Sequence, residues 1–180
     1  MEEISKIPKI RAKAGKYLTF KLASEEYGLE ILKVQEIIGM MCITKVPKMP
    51  SFIRGIINLR GKLIPVINMR EKFALDPMAD TEKTCIIVVQ IAEKNSSLTI
   101  GILVDEVSEV LDIVQSNIEP PPSFGSNVDT NFILGIGKVG DKVEILLDID
   151  KILTCMETHA VLSVTNDHAA TETETESESA

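Results

Sequence analysis

The stretch from Phe52 to Met69, FIRGIINLRGKLIPVINM, is repeated from Phe132 to Ile149 as FILGIGKVGDKVEILLDI. At this constant offset of 80 residues, Phe, Ile, Gly, Ile and Lys coincide, and several other positions match in type. Each copy consists of two apolar runs separated by a glycine-containing turn. This pattern predicts a β-hairpin in each copy.

A second repeat precedes the first in both halves of the chain. Residues 28–37 align with residues 101–110 at an offset of 73, so that Glu36 falls on Glu109. Because the two repeats occur in the same order, they predict two similar halves of roughly 70 residues. Each half is expected to form a small barrel of about five strands, a size at which a closed sheet fills its own interior with side chains.

The rest of the chain also contains short apolar runs that end at Gly, Pro, Asn or Asp, which is typical of an all-β barrel or sandwich. Leu18, Phe20 and Leu22 alternate with Tyr17, Thr19 and Lys21, so one face of this strand is expected to be buried. Further strands are predicted at 27–31, 43–46, 56–59, 63–68, 85–92, 98–104, 132–139 and 143–148. Helices are predicted only in part of 31–38, at 69–73, and from Asp150 to about Val161.

The composition indicates how such a fold would be filled. Of the 180 residues, 44% are apolar but only 4% are aromatic, so Ile, Leu, Val and Met must form the cores. Two such small cores would be marginally stable separately, because small domains bury a smaller fraction of their surface. We therefore expect the halves to pack on each other, and the groove between them is a natural binding location.

The formal net charge of −8 is unevenly distributed along the chain. Residues 1–80 carry 14 basic and 9 acidic side chains, residues 81–154 carry 5 and 12, and residues 155–180 carry 6 acidic side chains and no Lys or Arg. An acidic chain repels phosphate backbones, so nucleic-acid binding is not expected. The opposite charges of the two parts of the body suit a protein that meets different partners with different faces.

The two ends differ from the body in composition. Residues 1–14 lack periodicity and are expected to form a flexible leader, followed by a folded body at 15–154. The segment 155–180 is expected to contain a helix end and a disordered acidic tail, since its low-complexity sequence cannot bury enough apolar surface to offset the entropy of ordering. Truncation after Thr158 is therefore expected to leave the melting temperature unchanged.

The three cysteines, Cys42, Cys85 and Cys155, are widely separated, so neither a disulfide framework nor a zinc site is expected. Cys42 and Cys85 lie in apolar runs, where a thiol is expected to be buried as a small hydrophobe. The N-terminus lacks the features of a signal peptide, and no apolar run reaches the roughly 20 residues of a bilayer span. These features predict a soluble, cytoplasmic protein without direct membrane insertion.

One pattern, GIGKVG at residues 135–140, matches the GxGxxG fingerprint of dinucleotide-binding proteins. That fingerprint requires a helix after its last glycine, whereas the alternating residues that follow Gly140 predict a strand. We therefore interpret this segment as a strand and a two-residue turn, Gly140-Asp141, and expect no cofactor.

Catalytic motifs are missing from the sequence. His159 and His168 lie in or beside the acidic tail, where a positioned base or metal ligand is not expected. Asp148 and Asp150 are best explained as a strand end and a helix cap. The sequence therefore predicts no catalytic residue, no metal site and no enzymatic activity.

Arg60 and Glu36 each permit two interpretations. Arg60 lies beside Gly61 in the first hairpin turn, where it is either a solvated arginine or a planar fork displayed toward a partner's carboxylate. Glu36 is either the polar face of a turn or a functional carboxylate that the second half repeats as Glu109.

Four stretches of the body are distinctive: YLTFKLASEEYGLEILKVQEIIG, FIRGIINLRGKLIPVINMREKF, IGILVDEVSEVL and GIGKVGDKVEILLDIDKIL. Together these stretches, which lie within residues 15–154, closely resemble the CheW family of bacterial chemotaxis adaptors. The resemblance implies two packed SH3-like five-stranded β-barrels with short helices. It also implies a non-catalytic adaptor that couples the histidine kinase CheA to the cytoplasmic tips of methyl-accepting chemoreceptors in membrane-associated signalling arrays.

The resemblance further implies a set of binding residues. The positions that match receptor-binding or kinase-binding positions of the family are Val34, Glu36, Gly55 and Arg60. Cys85 and Val110 fall at apolar positions of the groove that receives the receptor hairpin, and Cys85 replaces a more typical valine. The acidic tail has no counterpart in the family pattern, so no family role transfers to it.

Three relatives share this fold, and a fourth alternative, from a different class, shares only the GIGKVG pattern. The kinase itself is not expected, because 180 residues leave no room for an ATP-binding region, and an adaptor with a receiver domain is not expected, because no α/β domain follows residue 154. A paralogue that serves a pilus or gliding pathway remains open. A dinucleotide-binding enzyme would require a helix after GIGKVG.

Overall fold

The computed structural model describes residues 10–93, 95–122, 130–154 and 157–163. Within these ranges the chain is mainly β-structure. The strands are β1 Gly15–Leu22, β2 Glu25–Glu30, β3 Val34–Gly39, β4 Ile53–Leu59, β5 Lys62–Asn68, β6 Cys85–Glu93, β7 Ser96–Val104, β8 Glu106–Ile113, β9 Ile118–Glu119, β10 Ile133–Val139 and β11 Lys142–Leu147. The helical segments are α1 Met69–Lys72, three 3-10 turns at Ile31–Lys33, Gln115–Asn117 and Ile149–Lys151, and the C-terminal helix, of which residues 157–163 are described.

The strands form two sheets, each folded around a small apolar interior, which confirms the expected pair of β-barrels. Barrel A has the strand order β8-β1-β2-β11-β10-β9, and barrel B has the order β3-β6-β7-β5-β4. Each barrel contains five long strands. The short strand β9 extends barrel A beyond β10, and an isolated bridge between Thr44 and Ile56 extends barrel B beyond β4 in the same way.

The two barrels do not coincide with the two halves of the sequence, so the expectation of one barrel for each half was wrong. The first hairpin, β1-β2, joins β8–β11 in barrel A, whereas the hairpin β6-β7 joins β3–β5 in barrel B. In each barrel a parallel pair of strands connects the two halves, β2 with β11 in barrel A and β7 with β5 in barrel B. Leu146 lies opposite Gly28 in the first pair, just as Val66 lies opposite Gly101 in the second. The sequence repeats therefore occupy equivalent ladder positions, but each half is divided between both barrels.

Three apolar clusters result from this exchange. The shared core between the barrels contains 20 buried residues among those described, whereas the interiors of barrel A and barrel B contain six each. Strand β1 lies between two of these cores, with Leu18 and Phe20 in the shared core and Tyr17 in the interior of barrel A. The alternation of this strand predicted only one buried face, but Tyr17 and Thr19 are buried as well.

The few aromatic side chains are concentrated in one stack within or against the shared core. The ring of Phe20 lies 5.8 Å from that of Tyr27, Tyr27 lies 5.6 Å from Phe73, and Phe73 lies 5.3 Å from Phe132. Phe20 and Tyr27 belong to barrel A, whereas Phe73 follows α1 beside barrel B. Ring pairs at these separations contribute roughly 0.5–1.5 kcal/mol beyond area burial, so the stack helps to hold the barrels together.

A partly buried ion pair also joins the two barrels. Arg70, in α1, donates from Nε and Nη2 to the two carboxylate oxygens of Asp105, each over 2.7 Å. The same carboxylate accepts a hydrogen bond from the backbone N–H of Ala23, in the turn between β1 and β2. Asp105 is the single residue between β7 of barrel B and β8 of barrel A, so this network fixes the point at which the chain crosses between the barrels.

Several local predictions were wrong, and pairing between strands explains them. Of residues 31–38, predicted as partly helical, only Ile31–Lys33 forms a 3-10 turn, and the rest is strand β3 because it pairs with β6. Strand β8 was not predicted, since as an edge strand it carries many polar residues. The strand predicted at 43–46 is reduced to the bridge at Thr44, and Cys42 in this loop is exposed, not buried.

Other local predictions are confirmed. The GIGKVG segment forms β10 and the turn into β11, with no helix after Gly140. The carboxylate of Asp148 accepts a hydrogen bond from the backbone N–H of Asp150 and so caps the 3-10 turn at Ile149–Lys151.

Described residues at both ends of the body pack against the barrels. Ala12 is buried in the interior of barrel A, and its backbone N–H donates to the carbonyl of Leu134, so the described part of the expected leader belongs to the body. At the other end, Val161 of the C-terminal helix is fully buried in the shared core. Cys155, His168 and the acidic segment from residue 164 onward lie outside the described residues.

A capping box fixes the start of the C-terminal helix. The Glu157 carboxylate accepts a hydrogen bond from the backbone N–H of Thr154, and the Thr154 hydroxyl accepts one from the backbone N–H of Glu157. Lys72 donates to both carboxylate oxygens of Glu157 at 2.7 Å. These contacts hold the pKa of Glu157 below its usual range, although burial opposes that shift.

Truncation after Thr158 is now expected to destabilise the protein, contrary to the expectation from composition. The truncated chain loses the buried side chain of Val161, which contributes about 2 kcal/mol. For a chain of this size that loss corresponds to a fall in melting temperature of roughly 4–8 °C. Thermal unfolding followed by circular dichroism measures the change. Truncation after Ser163 keeps all described residues and serves as the control; an equal fall in both variants would contradict the role of Val161.

Candidate functional site

An exposed arginine and a glutamate form a bidentate ion pair at the end of barrel B. Arg60 donates from Nη1 and Nη2 to the two carboxylate oxygens of Glu36, over 2.9 Å and 2.6 Å. Arg60 lies at the tip of the β4-β5 hairpin, and Glu36 lies on the edge strand β3. The hydrogen bonds from Arg60 hold the pKa of the Glu36 carboxyl below its usual value, so Glu36 remains ionised at neutral pH.

The backbone conformation at Arg60 does not favour an arginine, so the residue is explained by its side chain and not by the geometry of the turn. Arg60 has a φ of 51° and Gly61 has a φ of 84°, so both residues of the turn occupy the left-handed region. At the equivalent position of barrel A the chain has Gly140, with a φ of 61°. Glycine adopts this conformation without strain, whereas arginine does not. Strain retained at an exposed position is often associated with function.

The second half of the chain lacks this ion pair. Glu109 occupies the position that corresponds to Glu36, but Gly140 replaces the arginine. The two barrels therefore differ in charge at otherwise equivalent ends.

The edge strands β3 and β8 each expose one large apolar side chain at the border of the shared core. Ile37 of β3 is 45% exposed, and Val110 of β8 is 49% exposed. Ile37 lies opposite Ile87, and Val110 lies opposite Leu18, and both partners belong to the shared core. Since directly paired residues point to the same face of a sheet, Ile37 and Val110 extend the apolar surface of the shared core outward to solvent.

Cys85 lies close to the start of β8. It is half-buried and packs against the shared core, as does Val107 of β8. Burial raises the pKa of the Cys85 thiol, so it is a neutral apolar group at physiological pH. Cys85 of barrel B and Val107 of barrel A therefore both lie where the two barrels join.

The remaining two predicted residues have structural contacts. Val34 is half-buried and packs against the shared core. Gly55 has a φ of 148°, and a Cβ atom at this position would lie 2.2 Å from the carbonyl oxygen of Thr44. The Thr44–Ile56 bridge brings the two backbones together there, so only glycine fits.

The structure thus brings together Glu36 and Arg60 directly, and places Cys85 and Val110 at apolar positions along the junction of the barrels. Gly55 lies beneath the Thr44 backbone and shapes barrel B from inside. Sequence reasoning did not single out Ile37, although its repeat partner is Val110 and this equivalence could have identified it.

The described residues contain no cluster of three or more His, Cys, Asp or Glu side chains with the geometry of a metal site. A surface cavity of about 480 Å³ is lined by Lys45, Met49, Arg54 and their neighbours and shares no residue with the Glu36–Arg60 pair. In the part of the chain that the structure describes, no helix is both long and apolar enough to cross a membrane.

Two barrels around a common core, with an exposed ion pair and apolar side chains at their junction, define a protein-binding module. Residues 16–156 match the family model described as the CheW-like domain. The chain therefore belongs to the CheW family, whose members are chemotaxis adaptors, and the resemblance inferred from the sequence is confirmed.

Individual relatives agree with this assignment. Chemotaxis protein CheW of Klebsiella aerogenes is 40% identical over 152 residues, covering 84% of this chain and 89% of that protein. Chemotaxis protein CheW of Thermotoga maritima is 31% identical, covering 76% of this chain and 85% of its own length. The crystal structure of the scaffolding protein TtCheW from Thermoanaerobacter tengcongensis superposes with a TM-score of 0.71 at 39% identity, covering 80% of this chain and 95% of the solved chain.

Gly55→Ala is predicted to lower the free energy of unfolding by about 3 kcal/mol, because the added methyl group meets the Thr44 backbone and the residue has a positive φ. Chemical denaturation measures this change. Gly39→Ala is the matched control, since a Cβ atom at Gly39 meets nothing within 4 Å, and it should change stability by less than about 0.5 kcal/mol. Equal stability of the two variants would show that the Gly55 backbone readily moves away from Thr44.

Proposed function

We propose that this protein is a non-catalytic adaptor that couples the histidine kinase CheA to the cytoplasmic tips of methyl-accepting chemoreceptors. Arg60 suits such a binding role, because its strained backbone displays a guanidinium group at an exposed hairpin tip. Membership of the CheW family supports the same conclusion. The expected location is the cytoplasmic side of membrane-associated receptor arrays.

The receptor is proposed to bind along the junction of the two barrels. A helical receptor hairpin presents apolar side chains at helical spacing, and Cys85 and Val110 offer apolar surface that is continuous with the shared core. Ile37 extends this surface on barrel B. Because these side chains are already partly desolvated, covering them releases further water at little cost in backbone rearrangement.

Arg60 and Glu36 are proposed to set the position of the partner by charge. Guanidinium groups carry five N–H donors, and two of the donors of Arg60 contact Glu36. The Arg60 side chain is 74% exposed, so its other donors are available to a carboxylate of the partner. Glu36 holds the guanidinium plane in one orientation, which favours bidentate recognition and specificity more than raw affinity.

The kinase is proposed to bind at a separate surface, toward barrel ends other than the one that carries the Glu36–Arg60 pair. Val34 and Gly55 are proposed to support the kinase contact indirectly, through the positions of β3 and β4. Two surfaces on one rigid body would hold the receptor and the kinase in a fixed relative geometry. Individually weak contacts then combine into stable arrays through avidity.

Arg60→Glu is predicted to abolish binding to a receptor signalling domain, because it replaces the guanidinium donors with a second carboxylate beside Glu36. Co-sedimentation with the receptor signalling domain and CheA measures ternary complex formation, and circular dichroism checks that the fold is unchanged. A complex of undiminished yield would contradict the assignment of Arg60.

Two further variants distinguish the contribution of the Arg60 side chain to binding from the effects of its backbone conformation and of general charge. Arg60→Gly reproduces the turn residue of barrel A, so it should retain or increase the melting temperature while receptor binding falls. Lys62→Glu makes the same change of charge two residues away on an exposed side chain and should leave binding within twofold of the native protein. Equal loss in Lys62→Glu and Arg60→Glu would indicate only general electrostatic attraction.

Val110→Asp is predicted to weaken receptor binding at least tenfold, since a charged group would be desolvated against the apolar face of the receptor helix. Val143→Asp is the control, because Val143 is a similarly exposed valine on β11. Binding titrations with both variants measure the difference. If Val143→Asp weakened binding as strongly as Val110→Asp, the proposed location of the receptor along β8 would be wrong.

A further inference from the structure

Among the described residues, one glutamate is buried inside barrel A, whereas the equivalent position in barrel B is apolar. Glu144, on β11, is fully buried, and neither of its carboxylate oxygens has a hydrogen-bond donor among the described residues. Its neighbour on the same face of the strand is Leu146, which belongs to the barrel interior. A buried, unpartnered carboxylate is costly when ionised, so its presence requires an explanation.

The repeat shows which kind of residue fits the barrel interior at the position of Glu144. Glu144 corresponds to Ile64 at the offset of 80 residues, and Ile64 is a buried member of the interior of barrel B. The ladder positions are also equivalent, because β11 pairs with β2 as β5 pairs with β7. Since an isoleucine satisfies the same architecture, packing alone does not account for the carboxyl group.

The group that interacts with Glu144 is another carboxyl. Glu26 of β2 lies directly opposite Glu144 in the parallel ladder. Two ionised carboxylates are both acceptors, so a hydrogen bond between them forms only when one of them carries a proton. When both carboxyl groups are ionised, Glu26 therefore cannot donate a hydrogen bond to Glu144, although it lies beside it.

The charges around Glu144 also favour a bound proton. Burial and the neighbouring Glu26 raise the pKa of Glu144 to about 8, with a smaller contribution from Glu109 of β8 in the same direction. Lys142 opposes the shift, but its side chain is largely exposed and lies 3.7 Å from Glu26. On the remaining neighbouring strand, β10, the residue opposite Glu144 is Gly137, which carries no charge.

We propose that barrel A contains a proton-binding switch, in which one proton carried by Glu144 and donated in a hydrogen bond to Glu26 stabilises the barrel and its release loosens strands β2 and β11. The switch does not depend on the identity of any partner. It makes barrel A responsive to pH in the neutral range, whereas barrel B, with Ile64 in place of the carboxyl group, has no such response at the equivalent position.

The sign of the effect follows from proton linkage. An unfolded chain releases this proton near the ordinary glutamate pKa of about 4.5, whereas the folded chain retains it up to about 8. The stabilisation is therefore complete below the lower value, decreases as pH rises between the two, and is absent above the higher value. For one proton the unfolding equilibrium constant increases up to about tenfold per pH unit in this interval.

Urea denaturation of the full-length protein between pH 5.5 and pH 8.5 tests the proposal. In the native sequence the unfolding constant should rise at least tenfold more over this range than in Glu144→Gln, which cannot release a proton. Glu82→Gln, at an exposed residue, should keep the pH dependence of the native protein. Parallel pH profiles for the native protein and Glu144→Gln would overturn the proposal.

Two additional measurements apply if Glu144→Gln fails to fold. Glu144→Ile introduces the residue of barrel B and should remove the same part of the pH dependence. In the native protein, carboxyl ¹³C NMR should show Glu144 titrating near pH 8, well above the other glutamates. A midpoint near 4.5 for Glu144 would overturn the proposal without any variant.

Discussion

The structure depends on the exchange of hairpins between the two halves of the chain. Because β1-β2 belongs to barrel A while the strands that follow it belong to barrel B, neither barrel can form without residues from both halves. The exchange places most of the buried side chains in the shared core, not in the barrel interiors. Small barrels of this size bury little apolar surface separately, so the shared core supplies the stability that each of them lacks. It also fixes the junction of the barrels, where the exposed apolar side chains lie.

The two barrels are related by an approximate twofold repeat, and the positions at which they differ are informative. At the hairpin tip barrel B has Arg60 where barrel A has Gly140, and in the interior barrel A has Glu144 where barrel B has Ile64. In each pair one residue suits the fold without further explanation, whereas the other introduces backbone strain or a buried carboxyl group. The architecture alone therefore does not explain why arginine is found at position 60 and glutamate at position 144.

Sequence patterns were most accurate where structure is local. The hairpins β4-β5 and β10-β11 follow from apolar runs and turn residues, and both were predicted. Residues 31–38 were partly misassigned because their apolar spacing also fits a helix, and pairing with β6 decides between the two. Strand β8 was missed because an edge strand needs only one apolar face. The burial of Tyr17 and Val161 was missed because each contacts a surface formed by distant parts of the chain.

Residue types and their spacing were enough to predict the all-β class and the repeat. The resemblance to the CheW family implied the six candidate binding residues, which remain predictions. The folded structure was needed to show which strands share a barrel, that Arg60 contacts Glu36, and that Gly55 lies beneath the Thr44 backbone. It also decided that Glu144 lies opposite Glu26. The physical reason is that strand pairing joins residues far apart in the chain. The resulting contacts, burial and pKa shifts belong to the folded arrangement and not to any local segment.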